Sequence, residues 1–123
     1  MLSTADVIAF AATARHDEAR AFYRDVLGLA LVADDPFALV FDANGTMLRV
    51  AKVPAVHPAP YAILGWKVAD IRAEVERLRG HGVAFNRYPG MEQDEAGLWT
   101  SPAGARIAWF HDPDGNVLSL AQL

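Results

Sequence analysis

Apolar and polar positions along this chain switch between a strand-like and a helix-like period, and the order of the switches occurs twice. Residues 6–13 (DVIAFAAT) form a short apolar run bounded by polar residues, the pattern of a buried strand. In residues 16–29 (HDEARAFYRDVLGL), Ala19, Phe22, Tyr23, Val26 and Leu27 recur at the spacing of one helical face. Asp17 and Glu18 suit the positive end of that helix, and Gly28 is placed to close it in a left-handed cap. Residues 29–33 read as a second strand. Residues 37–42 and 46–53 are two more, joined around Asn44-Gly45, a strong hairpin signal. The first half therefore reads β-α-β-β-β.

Residues 54–60 (PAVHPAP) carry prolines at three of seven positions, which excludes a helix interior or an inner strand and predicts a linker. The order then repeats. Residues 61–68 are a strand, Asp70 is a helix N-cap, and Ile71, Val75 and Leu78 form a helical stripe that Gly80 and Gly82 end. Residues 83–88 are the next strand, and 105–111 with 116–123 form a hairpin across Asp112-Pro113-Asp114-Gly115. Residues 89–104 (PGMEQDEAGLWTSPAG) have no counterpart in the first half and read as an inserted loop, with a short strand at 98–100. The expectation is one α+β domain over residues 1–123. It comprises two tandem βαβββ modules (about 5–53 and 61–123) whose strands form a curved mixed sheet around a cleft, with the helices outside.

Composition narrows the function classes. A net charge of −4 disfavours a nucleic-acid or anionic-membrane partner, and no apolar run approaches a membrane span. The absence of cysteine excludes a disulfide framework, a thiolate zinc site and a cysteine nucleophile. The N-terminal residues lack a basic leader, so the expected location is the cytoplasm. With 53% hydrophobic residues in so short a chain, a homodimer is expected.

The stretch Ala21-Phe22-Tyr23-Arg24-Asp25-Val26-Leu27-Gly28-Leu29 resembles the first-helix signature of the vicinal-oxygen-chelate superfamily, which includes glyoxalases, bleomycin-resistance proteins and extradiol dioxygenases. Asp112-Pro113-Asp114-Gly115-Asn116 resembles its last-hairpin signature. The resemblance covers essentially the whole chain. It implies that catalytic members hold one divalent metal through a His early in each module and a Glu in the last strand of each. The family's spacing from Phe22 and from Asp70 places the two His positions at Ile8 and Ile63. Its spacing from Gly45 and Gly115 places the two Glu positions at Arg49 and Ser119. None of these four is a usable ligand, and Arg49 repels a cation, so no cofactor is expected; a divalent metal held by displaced ligands is the alternative.

Other residues then carry the chemistry. Arg49 alternates with Met47 and Ala51 on the expected cleft face, where its guanidinium suits a carboxylate, phosphate or enolate. Phe10, Trp99 and Trp109, with Tyr88, offer flat apolar walls, whereas Trp66, Phe22 and Tyr23 read as packing beneath the helices. Ser119 is a further ligand contact. His16, His57 and His81 read as solvated surface residues; His111, ending a core strand, is a candidate acid or base. The acidic run Glu92, Asp94 and Glu95 reads as a solvated loop or a partner for a cationic ligand. The leading expectation is a metal-independent protein that binds a small, partly aromatic or anionic molecule. The alternative is a glyoxalase-like lyase or isomerase, or a dioxygenase-type enzyme, either metal-free or with displaced metal ligands.

Overall fold

The first apolar run forms β1 (Ile8–Thr13) in the computed structural model, which describes residues 1–123. It is followed by α1 (His16–Ala21), β2 (Ala30–Asp34), β3 (Ala38–Ala43) and β4 (Thr46–Lys52). The four strands make one mixed sheet of order β1-β4-β3-β2, with β1 parallel to β4 and the other neighbours antiparallel. Asp17 and Glu18 occupy the first turn of α1 as expected, but beyond Ala21 the helix widens into a π-helical turn, Phe22–Val26. Within it Tyr23 is fully buried, its ring 5.6 Å from Phe41 of β3. Gly28 follows at φ 78° and closes the turn. Asn44 and Gly45, at φ 51° and 89°, form the two-residue hairpin that only such residues adopt cheaply.

Strand alternation gives this sheet two unlike faces. Ala11, Thr13, Leu39, Phe41, Leu48 and Val50 share the face that meets Tyr23, and all are buried. Ile8, Phe10, Met47 and Arg49 share the other.

The second unit repeats this plan with β5 (Ala62–Lys67), α2 (Ile71–Gly80), β6 (Trp99–Thr100), β7 (Arg106–His111) and β8 (Val117–Gln122). Its sheet order is β5-β8-β7-β6, again with the first strand parallel to the last. Asp70 caps α2 by accepting the Ala73 N–H at 3.2 Å, and Gln122 Oε1 accepts the Ile71 N–H at 3.0 Å. Ile71, Val75 and Leu78 are fully buried as α2 packs on β7 and β8, each contributing about 1.5–3 kcal/mol of apolar burial. The chain divides into compact units Met1–Pro58 and Ala59–Leu123, a boundary inside the predicted linker. No helix is long and apolar enough to cross a membrane.

One predicted strand is not there. Residues 83–88 form no ladder; their backbone meets β7 through the single bridge Phe85–Phe110 and the Asn86 N–H to Trp109 carbonyl bond of 2.7 Å. The outer place is taken by β6, which belongs to the segment expected to be an insertion without a counterpart. The physical reason is a side chain acting as a strand. The Gln93 amide donates to the carbonyls of Asn86 (2.9 Å) and Gly97 (3.0 Å) and accepts the Tyr88 N–H (2.8 Å), satisfying backbone that would otherwise need a neighbouring strand.

The two sheets share one register. Phe10 pairs with Arg49 across β1 and β4, and Gly65 pairs with Ser119 across β5 and β8. Ile8 and Ile63 each stand two residues earlier, Ile63 in a bulge. Arg49 and Ser119 are therefore equivalent positions of the repeat.

Candidate ligand-binding site

On the second unit, three positions run side by side across the sheet face turned away from α2: Trp109 on β7, Ser119 on β8 and Gly65 on β5. A Cβ at residue 65 would lie 2.6 Å from Ser119 Oγ, so only glycine leaves the serine hydroxyl its place. The Trp99 ring lies 6.2 Å from that of Trp109, tilted by 41°, and the Tyr88 ring meets Trp109 edge-on at 5.6 Å. Such offset and edge contacts are the favoured arrangements of aromatic pairs. Tyr61, Tyr88, Met91 and Trp109 line a cavity of about 230 Å³ beside this cluster.

Behind Tyr88 stands a polar pair that sequence reasoning missed. Asn86 Nδ2 donates to the Tyr88 hydroxyl at 3.0 Å and lies 3.4 Å from His111 Nε2. Asn86 and Tyr88 are two residues apart in a run read as a strand, and that spacing was the available signal for a shared face. His111 ends β7 exposed, and Asn86 is the side chain that reaches it; His16, His57 and His81 are exposed.

The segment after Tyr88 is tied down rather than loose. Arg87 donates to the carbonyls of Asp94 and Glu95 at 2.5 and 2.8 Å, and Arg72 of α2 pairs with Asp94 at 2.7 Å. Asp94 Oδ1 also accepts the N–H groups of Ala96 and Leu98. Of the acidic run, Asp94 is thus an organiser of its own loop, while Glu92 and Glu95 are exposed. Partial burial pushes the Asp94 carboxyl up, but the Leu98 N–H, Arg72 and the Ala96 N–H together outweigh it and hold the group below the usual range. A lowered carboxylate stabilises at pH above its unfolded value of about 4 and loses that contribution as pH falls through the folded value. Cleavage of the 89–104 loop by an acid-active protease is accordingly expected to accelerate below about pH 4, and Asp94→Asn to be cleaved readily at every pH.

On the first unit, Phe10 is 59% exposed beside Arg49, with Ile8 and Met47 exposed next to them. Arg20, Arg24, Arg72 and Arg77 all pair with carboxylates, and Lys52 pairs with Asp34. Arg49 is half-buried and makes no ion pair. Its reach is seen only at Asp35, whose carboxyl is held low first by the Phe37 and Ala38 N–H groups and more weakly by Arg49.

The sequence profile of the glyoxalase/bleomycin resistance protein/dioxygenase superfamily matches residues 5–120. The chain belongs to that superfamily. Among solved structures, it is similar to the bleomycin resistance determinant encoded on transposon Tn5 (20% identity, TM-score 0.75, covering 97% of this chain and 98% of that one). It is also similar to TnmS3, an antibiotic binding protein from Streptomyces sp. CB03234 (27%, 0.69, 97% of each chain). A third similar structure is lactoylglutathione lyase from Agrobacterium tumefaciens (21%, 0.71, covering 97% and 93%). No curated protein matches the chain.

In this superfamily member the positions that resemblance assigns to metal ligands hold Ile8 and Arg49 on one sheet and Ile63 and Ser119 on the other. One hydroxyl, one guanidinium and two hydrocarbon side chains do not fit a divalent cation. Nor do three or more His, Asp or Glu side chains gather elsewhere into a group of metal-holding size.

Proposed function

We propose that this chain is a metal-independent small-molecule-binding member of the superfamily, which holds a flat, partly aromatic organic ligand and does so without turning it over. The observation that carries this reading is the Tyr88–Trp109–Trp99 cluster beside its cavity, an apolar site with few polar groups. The likeness to an antibiotic binding protein and to a bleomycin resistance determinant supports it, since sequestration needs affinity and no chemistry. Ser119 offers a hydroxyl on the same face. On the first unit, Phe10 and the unpaired Arg49 provide a surface suited to a ligand's aromatic and anionic groups. A metal-free lyase or isomerase is the second reading, favoured by His111 beside Asn86. Binding is preferred because no carboxylate orients the exposed His111 ring.

Native mass spectrometry of the purified chain tests the proposal. An organic molecule retained in stoichiometric amount, released by denaturation and absent from a Trp109→Ala variant, is the expected result. Stoichiometric zinc, nickel, manganese or iron, or conversion of the retained molecule, overturns it. The same spectra are expected to show a homodimer, because Ile8, Phe10 and Met47 form an exposed apolar patch on one sheet; sedimentation as a monomer at micromolar concentration would contradict the dimer alone.

A further inference from the structure

We propose that Tyr88 is the specificity group of the aromatic cavity and that Asn86 sets its polarity, so the site selects planar ligands carrying a carbonyl-type hydrogen-bond acceptor. This rests on the ligand-binding reading above and adds the chemical class of the ligand.

A phenol hydroxyl has one proton to donate and lone pairs to accept. Asn86 Nδ2 donates to the Tyr88 oxygen at 3.0 Å, and Asn86 is the side-chain partner of that hydroxyl. One lone pair of Tyr88 is thereby engaged, and its proton remains to be given away. The wall of the cavity that Tyr88 shares with Tyr61, Met91 and Trp109 offers hydrocarbon, sulfur and ring faces; the Tyr61 hydroxyl is the one strong acceptor among these side chains, and no hydrogen bond joins it to Tyr88. A ligand oxygen is the natural recipient.

His111 is the second side chain that the Asn86 amide nitrogen approaches. The same Asn86 Nδ2 lies 3.4 Å from His111 Nε2, and an amide nitrogen can only donate, so this contact is made when Nε2 accepts. The backbone of Asn86 is clamped independently, its N–H to Trp109 and its carbonyl to the Gln93 amide, which holds the side chain in position beneath Tyr88. Asn86 is therefore a positioning residue and Tyr88 the group that touches ligand. A site built around such a donor rejects an isosteric ligand lacking the acceptor more strongly than an apolar wall separates two hydrocarbons.

Fluorenone and fluorene are matched probes: both are flat tricycles, and only the first carries a carbonyl. Quenching of tryptophan fluorescence is expected to give wild-type protein about a tenfold preference for fluorenone, the size of one well-placed hydrogen bond. Bound fluorenone should show a lowered carbonyl stretching frequency. Tyr88→Phe should erase both the preference and the frequency shift, the preference being read as the ratio of the two probes on the same variant. Asn86→Asp, nearly isosteric and acceptor-only, should do the same with Tyr88 intact, because the tyrosine proton then turns to the new carboxylate. A purely structural role for Asn86 predicts instead that both probes weaken together, and that result overturns the assignment. Equal binding of the two probes by wild type also overturns it, leaving the aromatic site standing. Failure of either probe to bind wild type sinks the aromatic site and, with it, this inference.

Discussion

Asp112→Ala is expected to destabilise the chain by about 3 kcal/mol, read as a lowered urea midpoint with an unchanged denaturant slope. Asp112 is buried in the turn between β7 and β8, and its carboxylate accepts the N–H groups of Asp114 and Asn116 at 2.9 Å and the Asn116 side-chain amide at 2.8 Å. Asn116 is itself buried, so alanine takes the acceptor from its backbone and side-chain donors in a place closed to water; each such loss costs about 1–3 kcal/mol. The repeat supplies its own control. Asp42, at the corresponding hairpin of the first unit, is exposed and accepts only the Gly45 N–H, at 3.0 Å. Asp42→Ala should cost no more than about 1 kcal/mol. Equal losses at the two positions would show that the Asp-Pro-Asp-Gly-Asn motif has no special structural weight.

Trp109→Ala is expected to weaken fluorenone binding at least about thirtyfold, the scale of a central tryptophan anchor. Trp109 is the one ring that both other aromatics meet, Tyr88 edge-on and Trp99 tilted, and it lines the cavity as well. Removing it takes away a ligand wall and the support of Tyr88 together. Trp99→Ala removes a single ring contact and should cost several-fold less. Titration calorimetry on both variants, with circular dichroism to confirm folding, checks the ranking; a larger loss at Trp99 would relocate the site toward β6.

The fold was legible because its signals are local. The stripe Ile71, Val75 and Leu78, the cap at Asp70 and the Asn44-Gly45 turn each lie within a few residues, and each folds as read. The register shared by Arg49 and Ser119 was also readable, because strand alternation transmits it from a turn glycine. The fourth strand of the second sheet was read only in part: the short strand expected at 98–100 is β6, but its place beside β7, where residues 83–88 were expected, was not. Residues 83–88 have the apolar pattern of a strand, yet their backbone is satisfied by Gln93 through a loop closed by Arg87 and Arg72, a tertiary arrangement without sequence period. The same gap hid Asn86, whose meaning depends on His111 being brought beside it from 25 residues away. For the site, the Trp99–Trp109 pairing was anticipated, while Phe10, grouped with them by aromatic character, lies beside Arg49 on the first unit's sheet.

Gln93 has a consequence for how this site can be altered. A strand in a ladder is committed residue by residue, since a one-residue change of length shifts every later side chain to the opposite face. Here the chain between Tyr88 and Gln93 is closed by the Gln93 side-chain amide on Asn86 and Tyr88 and by the Met91 N–H on the Tyr88 carbonyl (3.2 Å), with Met91 carried between them. That short stretch is in effect an interchangeable cassette. Changes of length or sequence within residues 89–92 are expected to reshape the cavity mouth while β7 and β8 keep their register, since their ladder bonds involve none of these residues.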